Sequence, residues 1–349
     1  MKKQTKTIWV AVATIAVLAV VLVFAFVHQN KQTNSTAPQN TATVAKKDDN
    51  YVLRLGDPGG VCGAPQQIAQ VKGFFKKVGL KYKVVKVDAN TTGIEAVTSN
   101  KIDASNSLLG SIVQPIANGA QLKITTGLHT GCISVLTAKG STLKSPKDFV
   151  GKKIGVAAVA GSEATFTKRW LGDHGVEVGT NNAQVQFVQY DASELPIALA
   201  KGQVDAIAIE DPTVQIAVKQ YGFNIVASSA ETAPFNTEYC CVAYVSAKVA
   251  KEHPEAARKY TLAMQEATNW VKTHQSQTAA IQVSNKFAAG KASVNEKALK
   301  TYDWKASYYG GQKAFIQVGK DLQKIGIVNK NTDLNSLANN AFLKVKDVQ

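Results

Sequence analysis

Two stretches of this chain repeat one another. AVTSNKIDA, Ala96 to Ala104, and ALAKGQVDA, Ala198 to Ala206, each read as a helix end, a turn and a strand entered through an aspartate, Asp103 or Asp205. Each is followed by a helical run and a further β-type run, LKITTG at 122–127 and FNIVAS at 223–228. The small-residue turn Gly59–Ala64 has its own counterpart in Ala160–Ala164, inside KKIGVAAVAGSEATFTKRWL, which is again strand, turn, helix. A strand–turn–helix plan used twice predicts two similar α/β lobes, and two divergent copies are too few for a solenoid.

Within the first copy, β-type runs are expected at Tyr51–Leu55, Lys83–Val87, Ile102–Ser105 and Leu122–Thr126. APQQIAQVKGFFKKVG is expected to be one helix, with Ile68, Val71, Phe75 and Val78 on a single face and Gly79 as its C-cap. In open α/β sheets the ligand crevice lies at the carboxyl ends of the strands, beside helix N-termini with free N–H groups. Two such sheets facing each other predict a cleft lined by four loops, Gly59–Ala64, Asn106–Leu109, Ala160–Ala164 and Ile209–Pro212. Gly59 and Gly60 either let the backbone approach a ligand or merely make a tight strand-to-helix turn.

The N-terminus follows other rules. Lys2, Lys3 and Lys6 precede the uncharged apolar run Ile8–Val27, and ~20 such residues span a bilayer as a helix. Basic residues on the near side send the rest of the chain outward. The small-residue pattern of a cleavage site is poor around Ala25–His28, so residues 1–28 are expected to be an uncleaved anchor, with a cleaved signal and a secreted or periplasmic protein as the alternative. No cysteine follows the run, which excludes a lipid anchor. Residues 29–50 are polar and read as a flexible tether. The formal charge is +15, but all of the 40 basic residues except Arg54, Arg169 and Arg258 are lysine. Bidentate reading of phosphates and bases favours arginine, so no nucleic-acid partner is expected.

The order of a strand, a small-residue turn with Pro65, AQVKGFFKKVGL, the Asp103 strand entry and SPKDFVGKKIGV resembles the extracytoplasmic solute-binding proteins of ABC importers. More narrowly, it is similar to the group of aliphatic-sulfonate, nitrate and taurine binders and their pyrimidine-binding relatives, over roughly Tyr51 to Phe342. The resemblance implies the α/β type II periplasmic binding protein fold, with two lobes joined by two crossing segments. Lobe 1 would be 51–137 and 241–349, and lobe 2 would be 138–240. The crossings would be Cys132–Gly140 and Cys240–Lys248, running side by side near the cleft. It further implies a non-enzyme that passes a small solute to a permease and its ATPase, as an extracytoplasmic, membrane-tethered monomer.

Loops and resemblance together put the ligand-binding residues at Gly59, Gly60, Val61, Cys62, Ser107, Leu108, His129, Thr130, Ser162, Glu163, Glu210, Asp211 and Cys240. In the family layout Cys62 falls in a cleft loop, and Cys132, Cys240 and Cys241 fall on the crossings. Three readings stay open for them: a disulfide between the crossings, buried free thiols, or a ligand or metal site. His129-x-x-Cys132 alone does not make a metal site, and His28, His174, His253 and His274 form no cluster. No cofactor, catalytic residue or metal ligand is assigned. EYCCVAYVSAKVAKEHPE also resembles the eukaryotic thiamin-pyrimidine synthases, but only Cys240 and Cys241 match their cysteine motif, which leaves an enzyme as the alternative beside a metal-binding receptor. Glu210 and Asp211 would repel an anion unless they accept from a donor-bearing solute.

Overall fold

The computed structural model describes residues 50–87, 92–179 and 182–347. The expected anchor, and the tether up to residue 49, lie outside the described residues. Among the described residues no helix is long and apolar enough to cross a membrane.

The strands are β1 (Leu53–Gly56), β2 (Tyr82–Val85), β3 (Ala104–Leu108), β4 (Leu122–Thr130), β5 (Ile133–Thr137), β6 (Lys153–Val156), β7 (Gln186–Gln189), β8 (Ala206–Glu210), β9 (Asn224–Ser228), β10 (Tyr239–Ser246) and β11 (Trp304–Ser307). They form two sheets, ordered β11-β4-β10-β3-β1-β2 and β7-β6-β8-β5-β9. Apart from β11, the two orders correspond strand for strand: β2, β1, β3, β10, β4 against β7, β6, β8, β5, β9. In both, one strand runs antiparallel to its two neighbours, β10 in the first sheet and β5 in the second. This is the two-lobed architecture expected from the repeat.

The echoed aspartates account for the repeat physically. Asp103 Oδ2 accepts from the backbone N–H of Arg54 at 2.8 Å, and Asp205 Oδ2 accepts from that of Lys153 at 2.8 Å. Their own N–H groups donate back to the same residues, to Arg54 O at 2.7 Å and Lys153 O at 2.9 Å. Each aspartate therefore clips the start of its strand to the neighbouring one, and neither reaches the cleft.

The period of two along the strands divides the core into layers. On β10, Cys241, Ala243 and Val245 face a core shared with the helices Ala64–Val71 and Pro254–Thr273, while Val242 and Tyr244 face another with Phe315 of the helix Tyr308–Lys324. On β8, Ala206 and Ala208 lie on one side and Ile207 and Ile209 on the other. Both sheets are mixed, and both are covered on two faces.

Two sequence expectations change. The helix after β1 is broken into Ala64–Val71 and Phe74–Lys77, because Gly73 takes φ 77°; Ile68 and Phe75 stay buried, but Val71 is 43% exposed. The lobe boundaries also shift. Ile133–Thr137, assigned to lobe 1, pairs with β8 and β9 in the second sheet. Tyr239 and Cys240, assigned to lobe 2, begin β10 in the first sheet. The chain therefore crosses at Gly131–Cys132 and returns through Ser229–Glu238. The proposed crossings Cys132–Gly140 and Cys240–Lys248 are instead largely strands of different sheets.

Candidate functional site

The turn after β1 is built for its shape. Gly59 and Gly60 have φ of 60° and 61°, the left-handed region where a side chain is strained. Gly59 N donates to Asp57 Oδ1 at 3.1 Å, and Gly60 N donates to Phe287 O at 2.9 Å. Two buried glutamines grip the turn from behind. Gln67 Nε2 donates to Gly60 O at 3.0 Å, while Gln282 Nε2 donates to Val61 O at 3.2 Å and to Gln67 Oε1 at 2.9 Å. The second lobe sits directly above: a Cβ on Gly60 would lie 3.6 Å from Asp211 O.

A cavity of about 250 Å³ lies under this turn. Gly59, Cys62, Ser107 and Leu108 line it from the first lobe and Glu210 from the second, with Asn106 and Cys241 at its wall. A smaller cavity of about 40 Å³ lies on the other side of Leu108, between Ser162, Arg169, Glu238 and Cys240. Val61 is turned into the core, His129 is fully buried, and Thr130 ties β4 to the segment before β11 by accepting from Asp303 N at 3.1 Å; none of the three lines either cavity. Glu163 and Asp211 line neither cavity as well. Asp211 instead accepts from the Tyr302 hydroxyl at 2.7 Å, across the lobes.

Buried polar atoms are ordinarily hydrogen-bonded, and those that are not call for an explanation. Asn106 Oδ1, His129 Nε2, Ser162 Oγ and Asp211 Oδ1 are buried without a partner, and all four belong to the cleft loops or the junction beneath them. Burial raises the three carboxyls. Asp211 reaches about 7 although the Tyr302 hydroxyl opposes the shift. Glu163 is raised and Glu210 is raised well above the carboxylate range, by burial first and then by neighbouring negative groups.

All four cysteines converge here, and all four are free. Cys62, Cys132 and Cys241 hold their sulfurs within 4.8 Å of one another, and Cys132 Sγ lies 2.9 Å from Cys240 Sγ. That exceeds a disulfide bond of about 2.05 Å. Cys132 has φ 103°, an uncommon conformation for a residue with a side chain, costing of order 1–3 kcal/mol where it occurs. The strain sits where the chain passes between the sheets. Hydrogen bonds from Cys132 and Cys241 hold the Cys62 thiol well below its usual value. Burial works against ionising Cys240, but bonds from Cys132 and Cys241 bring it to about 5. Burial pushes Cys132 and Cys241 up, so they keep their protons and donate.

The lobes are also fastened outside the cavity. Arg169, on the second-lobe helix Ser162–Asp173, donates from Nε to Asp321 Oδ2 at 2.7 Å on the first-lobe helix Tyr308–Lys324. Its Nη2 donates to both oxygens of Glu238, at 2.8 and 3.0 Å, on the return crossing.

Sequence reasoning missed Arg169, Tyr302 and Gln282. Arg169 was visible only as one of three arginines, and Tyr302 and Gln282 lie in the C-terminal part that has no copy in the repeat.

Comparison with known proteins places the fold. Residues 64–278 match the family described as NMT1/THI5 like. A Haemophilus influenzae protein named for thiamine biosynthesis is 30% identical over 141 residues, 40% of this chain and 43% of its own, so the match spans less than half of that relative. The Bacillus subtilis binding protein YtlA is 25% identical over 79% of this chain and 84% of its own. Among solved structures, the alkanesulfonate-binding protein SsuA of Xanthomonas axonopodis pv. citri, bound to MOPS, superposes with a TM-score of 0.68 at 17% identity, covering 84% of this chain and 98% of its own.

Proposed function

Because this chain belongs to the NMT1/THI5-like family, we propose that it is the solute receptor of an ABC import system. It takes a small polar organic solute, such as a sulfonate, taurine, nitrate or a pyrimidine-like compound, into the cavity between its lobes and delivers it to a membrane permease. The role is binding and not catalysis, and the energy for transport comes from a separate ATPase. The receptor works as a monomer outside the cell, tethered through Ile8–Val27.

The observation that carries this reading is the cavity of about 250 Å³ walled by both lobes, with Asn106, whose buried Oδ1 has no partner, in its wall. Its volume falls just below the ~300–1,000 Å³ common for small-ligand sites, which favours a compact solute. The acidic wall does not oppose an oxyanion. Burial holds Glu210 toward its neutral form, and a neutral carboxyl donates one hydrogen bond as well as accepting. A solute touching Asn106 and Ser107 on one side and Glu210 on the other favours the joined lobes by its differential affinity, which is how a receptor of this type signals occupancy.

A thermal-shift panel of sulfonates, taurine, nitrate and pyrimidines on the purified chain tests the proposal. At least one class should raise the melting temperature in a concentration-dependent way. A flat response across the panel, extended to amines and amino acids, would contradict it.

A further inference from the structure

We propose that Cys62, Cys132 and Cys241 form a binding site for a single soft, thiophilic d10 cation such as zinc, cadmium or cuprous copper, at the floor of the interlobe cavity. The inference goes beyond the solute reading and does not depend on which solute the cavity takes.

The three sulfurs come from three separate places: the turn after β1, the crossing at Gly131–Cys132, and the start of β10. They nevertheless lie within 4.8 Å of one another, each on a residue that is at most 8% exposed. Metal–sulfur bonds of ~2.3 Å place the sulfurs of one coordination sphere about 3.8–4.0 Å apart. No pair therefore needs to close by more than ~1 Å to take a cation. Soft thiolate sets select zinc and cuprous copper over hard cations such as magnesium or calcium.

A site must also be reachable and supported around its edge. Cys62 and Cys241 line the cavity of about 250 Å³, so two of the three residues border an entry path. His129 stands directly across the β4–β10 ladder from Cys241, and residues so paired project to the same face. Its Nδ1 is 2.9 Å from Thr130 O, while its Nε2 is buried without a partner. Its ring is packed against Tyr302 and Trp304, with centroids 5.2 and 4.4 Å away. An imidazole fixed on one side and open on the other is the neighbour such a site needs.

The test is a titration of the reduced, chelator-treated full chain with Cd2+, read by thiolate-to-cadmium charge-transfer absorption and by native mass spectrometry. One Cd2+ per chain is expected, displaced competitively by Zn2+. Cys62→Ser and Cys241→Ser should each weaken Cd2+ by at least the ~10–100-fold that loss of an outer-shell partner alone costs. Should either variant fail to fold, cadmium-113 NMR of the unaltered chain replaces it, and a resonance in the range of sulfur-only coordination supports the site. Absence of charge-transfer absorption while all four thiols react after denaturation would overturn the proposal. So would Cd2+ affinity unchanged in a folded Cys62→Ser, or a cadmium resonance in the range of oxygen ligands. A solute that still raises the melting temperature of the metal-free chain would leave the receptor reading standing in every one of these cases.

Discussion

The two lobes share a strand order but differ in the loops they offer to the cleft. In the first lobe the turn after β1 carries two left-handed glycines, a cysteine and a pair of glutamines behind it. In the second lobe the matching turn ends at Gly161, with φ −76°, and leads into the helix Ser162–Asp173 with no left-handed residue. The clips differ in the same direction. Asp103 is 1% exposed and also accepts from Arg54 Nη2 at 2.7 Å and the Tyr51 hydroxyl at 2.9 Å, whereas Asp205 is exposed. The first lobe offers a more heavily braced turn and the second a plainer one on the same strand order.

The largest effect is expected where the lobes are joined. Arg169→Leu leaves Glu238 and Asp321 buried without their cation, which costs about 3–5 kcal/mol when one partner of a buried pair is removed. Chemical denaturation reads it directly. A loss below about 1 kcal/mol would mean that the lobes are held by packing alone.

The clips come next, as a paired comparison. Asp103→Ala strands the Arg54 N–H and removes an acceptor of the Arg54 guanidinium and the Tyr51 hydroxyl, and should cost about 2–3 kcal/mol, against about 0.5–1 kcal/mol for Asp205→Ala. The gap should also depend on pH. Burial opposes ionisation of Asp103, but bonds from Arg54 and Tyr51 outweigh it and lower its pKa in the folded protein. A group lowered on folding contributes stability above its unfolded pKa and loses it as pH falls through the folded one. The two variants should therefore converge on acidification. Equal costs at neutral pH would remove the distinction between the more braced lobe and the plainer one.

Smaller again is Gly60→Val. A side chain at φ 61° costs roughly 1–2 kcal/mol, and the added methyls press toward Asp211 O. Stability should fall by that amount while solute affinity falls further, and an unchanged affinity would take the turn out of the site. The mildest effect concerns pH and binding. If Glu210 donates to an oxyanion, affinity for that solute should decline as pH rises through the raised pKa of Glu210 and its carboxyl ionises. An affinity that rises with pH would assign Glu210 to an acceptor role instead.

The repeat was legible because its determinant is local. An aspartate that clips two adjacent strands sits at the same place in each copy, and a single chain read against itself reveals it. The crossings were not legible to the residue. β5 and β10 each lie in the sheet that the neighbouring sequence does not predict, and nothing in CISVLTAKG or CCVAYVSAK records which sheet will pair with it. The convergence of Cys62, Cys132 and Cys241 follows from that placement. Tyr302 and Gln282 escaped for a related reason, since they meet the lobe junction and the back of the first turn from C-terminal segments without a repeat partner.

The central claim is that one solute is held by both lobes at once. Titration calorimetry of the solute giving the largest thermal shift tests it, using the unaltered chain, Asn106→Ala from the first lobe and Glu210→Ala from the second. The account predicts that each variant weakens binding by about tenfold or more, the worth of one buried polar contact, with the melting temperature of the solute-free chain little changed. Loss confined to one variant, or to neither, would contradict it.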